Sequence, residues 1–183
     1  MGHVPVVMTS TSDQSTERHP GKGVMQALCR TPGDLQPLAE AVASLVEPGD
    51  VLLLRGELGA GKTTLTQMLA RALGVGEDQY VSSPSFALLH EYMGNMPIFH
   101  MDLYRLRDEE DVEAAGLVDA LTQQGVCIIE WPDRLGSLTP DVHLDINIQQ
   151  DTESSRCLVL TPHGSSWEER MARIAEHLVH AEG

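Results

Sequence analysis

Gly56-Glu57-Leu58-Gly59-Ala60-Gly61-Lys62-Thr63-Thr64 follows an apolar run at residues 51–54 and completes the pattern G-x-x-x-x-G-K-[ST]. A polyphosphate has to be wrapped by converging backbone N–H groups. Glycine is needed where a Cβ would block that approach or where φ must be positive, and Gly56, Gly59 and Gly61 supply this freedom. The loop then opens a helix whose first amides lack intrahelical partners and whose positive dipole end favours anionic oxygens. The expected nucleotide-binding set is therefore Glu57, Leu58, Gly59, Ala60, Gly61, Lys62, Thr63 and Thr64. Within it the Lys62 ammonium reaches the β- and γ-phosphates and the Thr63 hydroxyl ligates Mg2+. Lysine is otherwise scarce, since Lys22 and Lys62 are the only two among 12 basic residues. One of the two stands where a compact ammonium fits the cradle and a guanidinium fork does not.

Upstream of the loop, residues 34–46 carry Leu35, Leu38, Ala39, Val42, Leu45 and Val46 at helical spacing, and the pattern stops before Glu47-Pro48-Gly49-Asp50. The order is helix, turn, strand, phosphate loop. Downstream, the loop helix runs from about residue 62 to 73 and ends at Gly74. Residues 80–92, interrupted by Pro84, and residues 98–104 are short and apolar enough to be strands. Acidic Asp108-Glu109-Glu110-Asp111 opens a helix punctuated by Gly116, with a second helical piece at 117–123. Residues 126–129 form a continuous apolar run, as in a strand buried on both faces, and Cys127 within it is assigned to the core. Residues 142–148 and 156–161 read as an antiparallel hairpin, followed by an amphipathic helix over 166–179. Parallel units around the phosphate loop plus a terminal hairpin predict an α/β fold: a three-layer P-loop NTPase domain with a mixed parallel and antiparallel sheet, a C-terminal hairpin and a helix.

Residues 1–24, rich in Ser, Thr, Pro, Gly and charge, cannot bury enough apolar area to order themselves and are expected to be a disordered N-terminal extension. Residues 25–183 are then expected to form the P-loop ATPase domain, a length suited to a single core. The net charge of -15 argues against this chain holding nucleic acid by itself, because phosphate contacts need clustered Lys and Arg. Any RNA connection is expected to run through a basic partner. Cys29, Cys127 and Cys157 are scattered without a C-x-x-C pair, which fits reduced thiols. No apolar stretch approaches the ~20 residues of a membrane span, so a soluble, cytoplasmic protein is expected.

A triphosphate site needs a carboxylate at the end of a neighbouring strand to hold Mg2+ and to orient an attacking water. Glu130 ends the buried run 126–129 and precedes Trp131-Pro132, the layout of a Walker-B acid. Asp102 ends the segment 98–101 and precedes Leu103-Tyr104-Arg105. His100 and Asp102 share a strand face, but two ligands are too few for a dedicated metal site, and a hydrogen-bonded strand histidine is the reading adopted. Ser83-Pro84-Ser85-Phe86 is either a loop that senses the γ-phosphate or an ordinary Ser/Pro turn.

The nine-residue loop at 56–64, Ser-Pro-Ser-Phe at 83–86, His-Met-Asp-Leu-Tyr-Arg-Leu at 100–106 and Glu-Trp-Pro at 130–132 together resemble the TsaE family of bacterial tRNA threonylcarbamoyladenosine biosynthesis ATPases. The resemblance covers about residues 31–150, with one departure at Ser85, where the family usually has threonine and the hydroxyl is kept. It implies an ATPase with a mixed sheet that cycles a complex of TsaD and TsaB, the transfer to tRNA belonging to TsaD. By the same resemblance, Lys62 and the loop amides hold the phosphates of ATP, Thr63 and Glu130 hold Mg2+, and Asp102 supports the metal or the attacking water. The catalytic candidates are thus Asp102, Glu130 and Lys62. Two rivals stand beside it. One is a small-molecule kinase with Arg105, Arg107 and Arg134 in a lid; the other is a nucleotide-dependent binding switch with negligible hydrolysis. Trp131 and the Tyr104-Arg105 pair are candidates for partner contact, with buried packing the alternative for Trp131.

Overall fold

The computed structural model describes residues 6–9 and 23–180. Eight strands form one sheet in the order β1-β2-β8-β7-β3-β6-β5-β4. They are β1 (Val6–Thr9), β2 (Val24–Cys29), β3 (Val51–Arg55), β4 (Leu89–Met93), β5 (Pro97–Asp102), β6 (Val126–Glu130), β7 (His143–Gln150) and β8 (Arg156–His163). The centre is parallel, with β3 between β7 and β6 and with β5 beside β6. Both flanks are antiparallel. The sheet is therefore mixed, and β7 with β8 is the expected hairpin.

The parallel strands are apolar on both faces because both faces are covered. In β3, Leu52 and Leu54 enter a core with α1 (Leu35–Ala43), α2 (Lys62–Ala72) and α4 (Ser165–His180), whereas Val51 and Leu53 face the opposite way. That second core is closed by α3 (Glu109–Ala114) and by 3-10 turns at Val118–Thr122 and Pro132–Leu138. The result is three layers. Helix α4 is locked in place where Trp167, Met171 and Ile174 enter the first core and the Arg170 guanidinium pairs with Asp50 at 2.5 and 2.8 Å. The same guanidinium stacks over the Trp167 ring at 3.9 Å and donates to the Leu45 carbonyl at 2.8 Å.

Several boundaries differ from the sequence reading. Residues 80–88 are not a strand: Pro84 has no N–H for a ladder, and pairing begins only after Leu88, which turns through φ 67°. The next strand stops at Asp102 rather than residue 104, and the helical piece after Gly116 is a 3-10 turn. Inside the extension, Val6–Thr9 is not disordered but pairs antiparallel with β2, since its β-favouring residues meet an open sheet edge. The remaining expectation of disorder, at 1–5 and 10–22, lies outside the described residues. Strand β2 itself was not anticipated.

The thiols are free: Cys29 and Cys127 are buried and Cys157 is half-buried. Burial pushes the Cys29 and Cys127 thiols up to about 12, so they behave as small apolar groups. No helix among the described residues is long and apolar enough to cross a membrane.

Candidate functional site

Because β3, β5 and β6 run parallel, their C-terminal ends reach the same edge of the sheet. Leu54 and Asp102 are both in register with Glu130, so the loop after β3 and the two acids ending β5 and β6 meet there. They line a cleft of about 440 Å³ together with Ser83, Ser85 and Trp131.

Gly56, Gly59 and Gly61 all take positive φ, as expected of the loop. Gly56 has φ 142°, and a Cβ there would lie 2.5 Å from the Ile148 carbonyl oxygen of β7. Gly61 caps α2 at φ 113° and turns the chain so that the helix N-terminus faces the cleft. From the hairpin, Arg156 Nε donates to the Ala60 carbonyl at 3.1 Å and braces the loop from behind.

Lys62 is only 5 % exposed. Its Nζ donates to the carbonyls of Gly56 at 2.7 Å and Glu57 at 2.9 Å and stands 4.0 Å from the centre of the Trp131 ring. Burial pulls the ammonium below its ordinary pKa, against the opposing pull of Glu130, Asp102 and Glu57. Trp131 adopts φ 58°, a left-handed conformation costing a non-glycine residue about 1–2 kcal/mol. The turn it makes after Glu130 puts the indole over Lys62, and the same ring packs on Tyr104 at 4.9 Å.

Glu130 is the hub. The Thr63 hydroxyl donates to its two carboxylate oxygens at 2.9 and 3.2 Å, and His100 Nε2 donates to Oε1 at 2.9 Å. Hydroxyl and carboxylate are the hard oxygens that Mg2+ takes, and neighbouring ligands about 2.1 Å from an octahedral ion stand about 2.9 Å apart. Thr63 and Glu130 thus fit the ion in donor type and in spacing. The strand histidine is hydrogen-bonded as expected, and its partner turns out to be this carboxylate. His100 is fully buried, with no partner for Nδ1 among the described residues.

Asp102 accepts from the Ser83 hydroxyl at 2.5 Å and from the Tyr104 amide at 3.0 Å. Through Ser83 the Ser-Pro segment is tied to the acid, while Ser85 also lines the cleft. Arg105 lines it too, with its guanidinium 4.2 Å above the exposed Phe86 ring. Arg107 and Arg134 line a different depression, and Arg107 pairs with Asp111 at 2.8 Å. Sequence reasoning did not find the brace from Arg156 or the Lys62–Trp131 contact; both join residues distant in the chain, and no local pattern signals them.

The family model of the threonylcarbamoyl adenosine biosynthesis protein TsaE matches residues 29–158. The chain belongs to the TsaE family. Among TsaE relatives, the tRNA threonylcarbamoyladenosine biosynthesis protein TsaE of Bacillus subtilis is 37% identical over 147 residues, covering 80% of this chain and 90% of its own length. The TsaE protein of Treponema pallidum is 36% identical over 132 residues, covering 72% of this chain and 96% of its own. In three dimensions, the crystal structure of YdiB from Bacillus subtilis superposes with a TM-score of 0.73 at 32% identity, across 84% of this chain and 95% of that one. The matched TsaE region contains the loop, Asp102 and Glu130. Residues 165–180, which form α4, lie beyond it.

Proposed function

We propose that this chain is a P-loop NTPase that binds ATP with Mg2+ and hydrolyses it, and that the cycle supports threonylcarbamoyladenosine modification of tRNA by acting on a TsaB–TsaD complex. The observation that carries the reading is the convergence of Lys62, Thr63, Asp102 and Glu130 on one cleft at the end of the parallel strands. Family membership supports the pathway.

In this reading ATP lies across the N-terminus of α2, with its phosphates on the loop amides. Lys62 exchanges two neutral carbonyl partners for phosphate oxygens, a stronger, charge-assisted contact. Thr63 and Glu130 would hold Mg2+, which when bound neutralises charge developing on the phosphates. His100 orients the Glu130 carboxylate through its Nε2 bond. Asp102, steadied by Ser83 and Tyr104, orients the attacking water or the ion's water shell. Trp131 covers Lys62 and limits the access of bulk water to the ammonium. The acidic surface suits a chain that reaches tRNA only through protein partners.

The test is phosphate release by the purified chain alone and with TsaB and TsaD, together with co-elution of the three proteins with and without ATP or a non-hydrolysable analogue. Slow hydrolysis alone and a nucleotide-dependent complex are expected. Transfer of the γ-phosphate to a metabolite acceptor would overturn the reading in favour of a kinase. Nucleotide binding without phosphate release in any mixture would leave a binding switch.

A further inference from the structure

Strand β7 carries a second group of polar side chains, at its opposite end from the residue that abuts the phosphate loop, Ile148. His143 lies directly across the hairpin from His163, and Asp145 is two residues along on the same face as His143. Residues facing each other across an antiparallel ladder have Cβ atoms about 4.5–5.5 Å apart, so the register alone draws two imidazoles and a carboxylate together. The imidazole rings stack with centroids 4.1 Å apart and planes 14° from parallel. One ligating atom from each of the three residues lies within 4.8 Å of the other two.

The surroundings prepare these groups as ligands. His143 Nδ1 donates to the Pro140 carbonyl at 2.6 Å, and since a carbonyl only accepts, the proton is on Nδ1 and the lone pair on Nε2. A metal-bound histidine is commonly held this way, with its other nitrogen on a carbonyl or carboxylate. Arg55 Nε donates to Asp145 Oδ2 at 2.6 Å and fixes the carboxylate. His143 is buried while His163 is exposed, so the group is anchored on one side and open to solvent on the other.

We propose that His143, Asp145 and His163 form a binding site for a transition-metal dication of the Zn2+ class, separate from the nucleotide cleft. Two imidazole nitrogens and one carboxylate oxygen are a Zn2+-type donor set, with water completing a tetrahedron. Mg2+ and Ca2+ favour all-oxygen shells and are poor competitors for it. Ligands on a tetrahedral zinc stand about 3.3 Å apart when the bonds are about 2.0–2.1 Å, so closure asks for a side-chain adjustment of an ångström or so, which exposed His163 can supply. A bound ion would clip the open ends of the hairpin together, beside the point where β8 passes into α4.

The experiment uses the full chain, stripped with a chelator and titrated with Zn2+ against a chromophoric competitor in excess Mg2+ and without nucleotide. One Zn2+ per chain and a higher melting temperature with the ion are expected. His163→Ala, at an exposed position, should fold like the parent in the metal-free state and weaken Zn2+ binding by at least about tenfold, and His143→Ala should do likewise. Substitution with Co2+ should give visible d–d bands without thiolate charge transfer, which separates this site from one formed by the cysteines. Undiminished affinity in the His143→Ala/His163→Ala chain, a thiolate band, or no Zn2+ uptake in excess Mg2+ would each overturn the proposal.

Discussion

Replacing Glu130 by Gln changes one carboxylate oxygen into an amide and leaves the side-chain outline intact. In the native site the carboxylate is 3 % exposed and accepts from Thr63 and His100. The glutamine oxygen can still take one of these donors and the amide can donate to the Thr63 oxygen. The fold therefore loses no more than the charge assistance of about two bonds, on the order of 1–2 kcal/mol, offset by no longer burying a charge. On the proposed reading, catalysis loses more. The negative charge beside the Thr63 hydroxyl disappears from a site where it acts in a low-dielectric, water-poor setting. Removing a positioned charge of this kind lowers turnover by on the order of 100-fold, equivalent to about 2.7 kcal/mol in the barrier. Phosphate release at saturating ATP and Mg2+ reads the turnover, and equilibrium titration with a fluorescent nucleotide reads the binding. Glu130→Gln should bind nucleotide and release phosphate very slowly. Turnover close to that of the unaltered chain would refute the reasoning and move the role to Asp102, for which Asp102→Asn is the paired measurement.

Lys62→Met removes the ammonium that meets the Trp131 ring and the Gly56 and Glu57 carbonyls and leaves an unbranched side chain of similar length; nucleotide binding should be lost with a smaller effect on melting temperature, as titration and a thermal melt together would show. Arg170→Met strands Asp50 without its guanidinium partner in a buried site, which should cost about 3–5 kcal/mol and lower the melting temperature by roughly 6–20 °C. Adding Asp50→Asn should recover part of the loss, and no recovery would mean that the Trp167 packing carries the effect. The Asp111 carboxyl should titrate at about 2 by NMR, because the Arg107 side chain and then its backbone amide bond the ionised form. As its folded pKa lies below the ordinary value, its contribution to stability is complete above that value and is lost as pH falls toward about 2. Arg107→Ala should return it toward the ordinary aspartate value.

Local information was sufficient for what local geometry controls. The glycine-rich loop at 56–64 was legible because its glycines answer a backbone demand set within nine residues. The buried central strands were legible because a strand covered on both faces must be apolar throughout, as Val126-Cys127-Ile128-Ile129 is. Where two local signals competed, the sequence misled. Residues 80–92 are apolar enough for one strand, yet Pro84 and the left-handed Leu88 reserve the first part as a loop that lines the cleft. Strand β2 carried little signal: Met25, Ala27 and Cys29 alternate in burial with their neighbours, but the neighbouring Val24 and Leu28 are apolar too, so the residue types do not alternate. Its pairing with β8 joins Cys29 to Arg156, a contact that no window of sequence contains.

By itself, then, the sequence determined that a glycine-rich loop follows a buried strand, that acids end two other strands, and that a hairpin and helix close the chain. Tertiary structure decided that these parts make one site. Thr63 meets Glu130 across 67 residues, and His100 meets it across 30. Lys62 is covered by Trp131, Ala60 is braced by Arg156, and His143 faces His163 only because of the hairpin register. The physical reason is the range of the forces. Backbone preference and amphipathic periodicity act over a few residues, but hydrogen bonds and ion contacts act through space, and only parallel packing of β3, β5 and β6 brings their C-terminal ends within bonding distance.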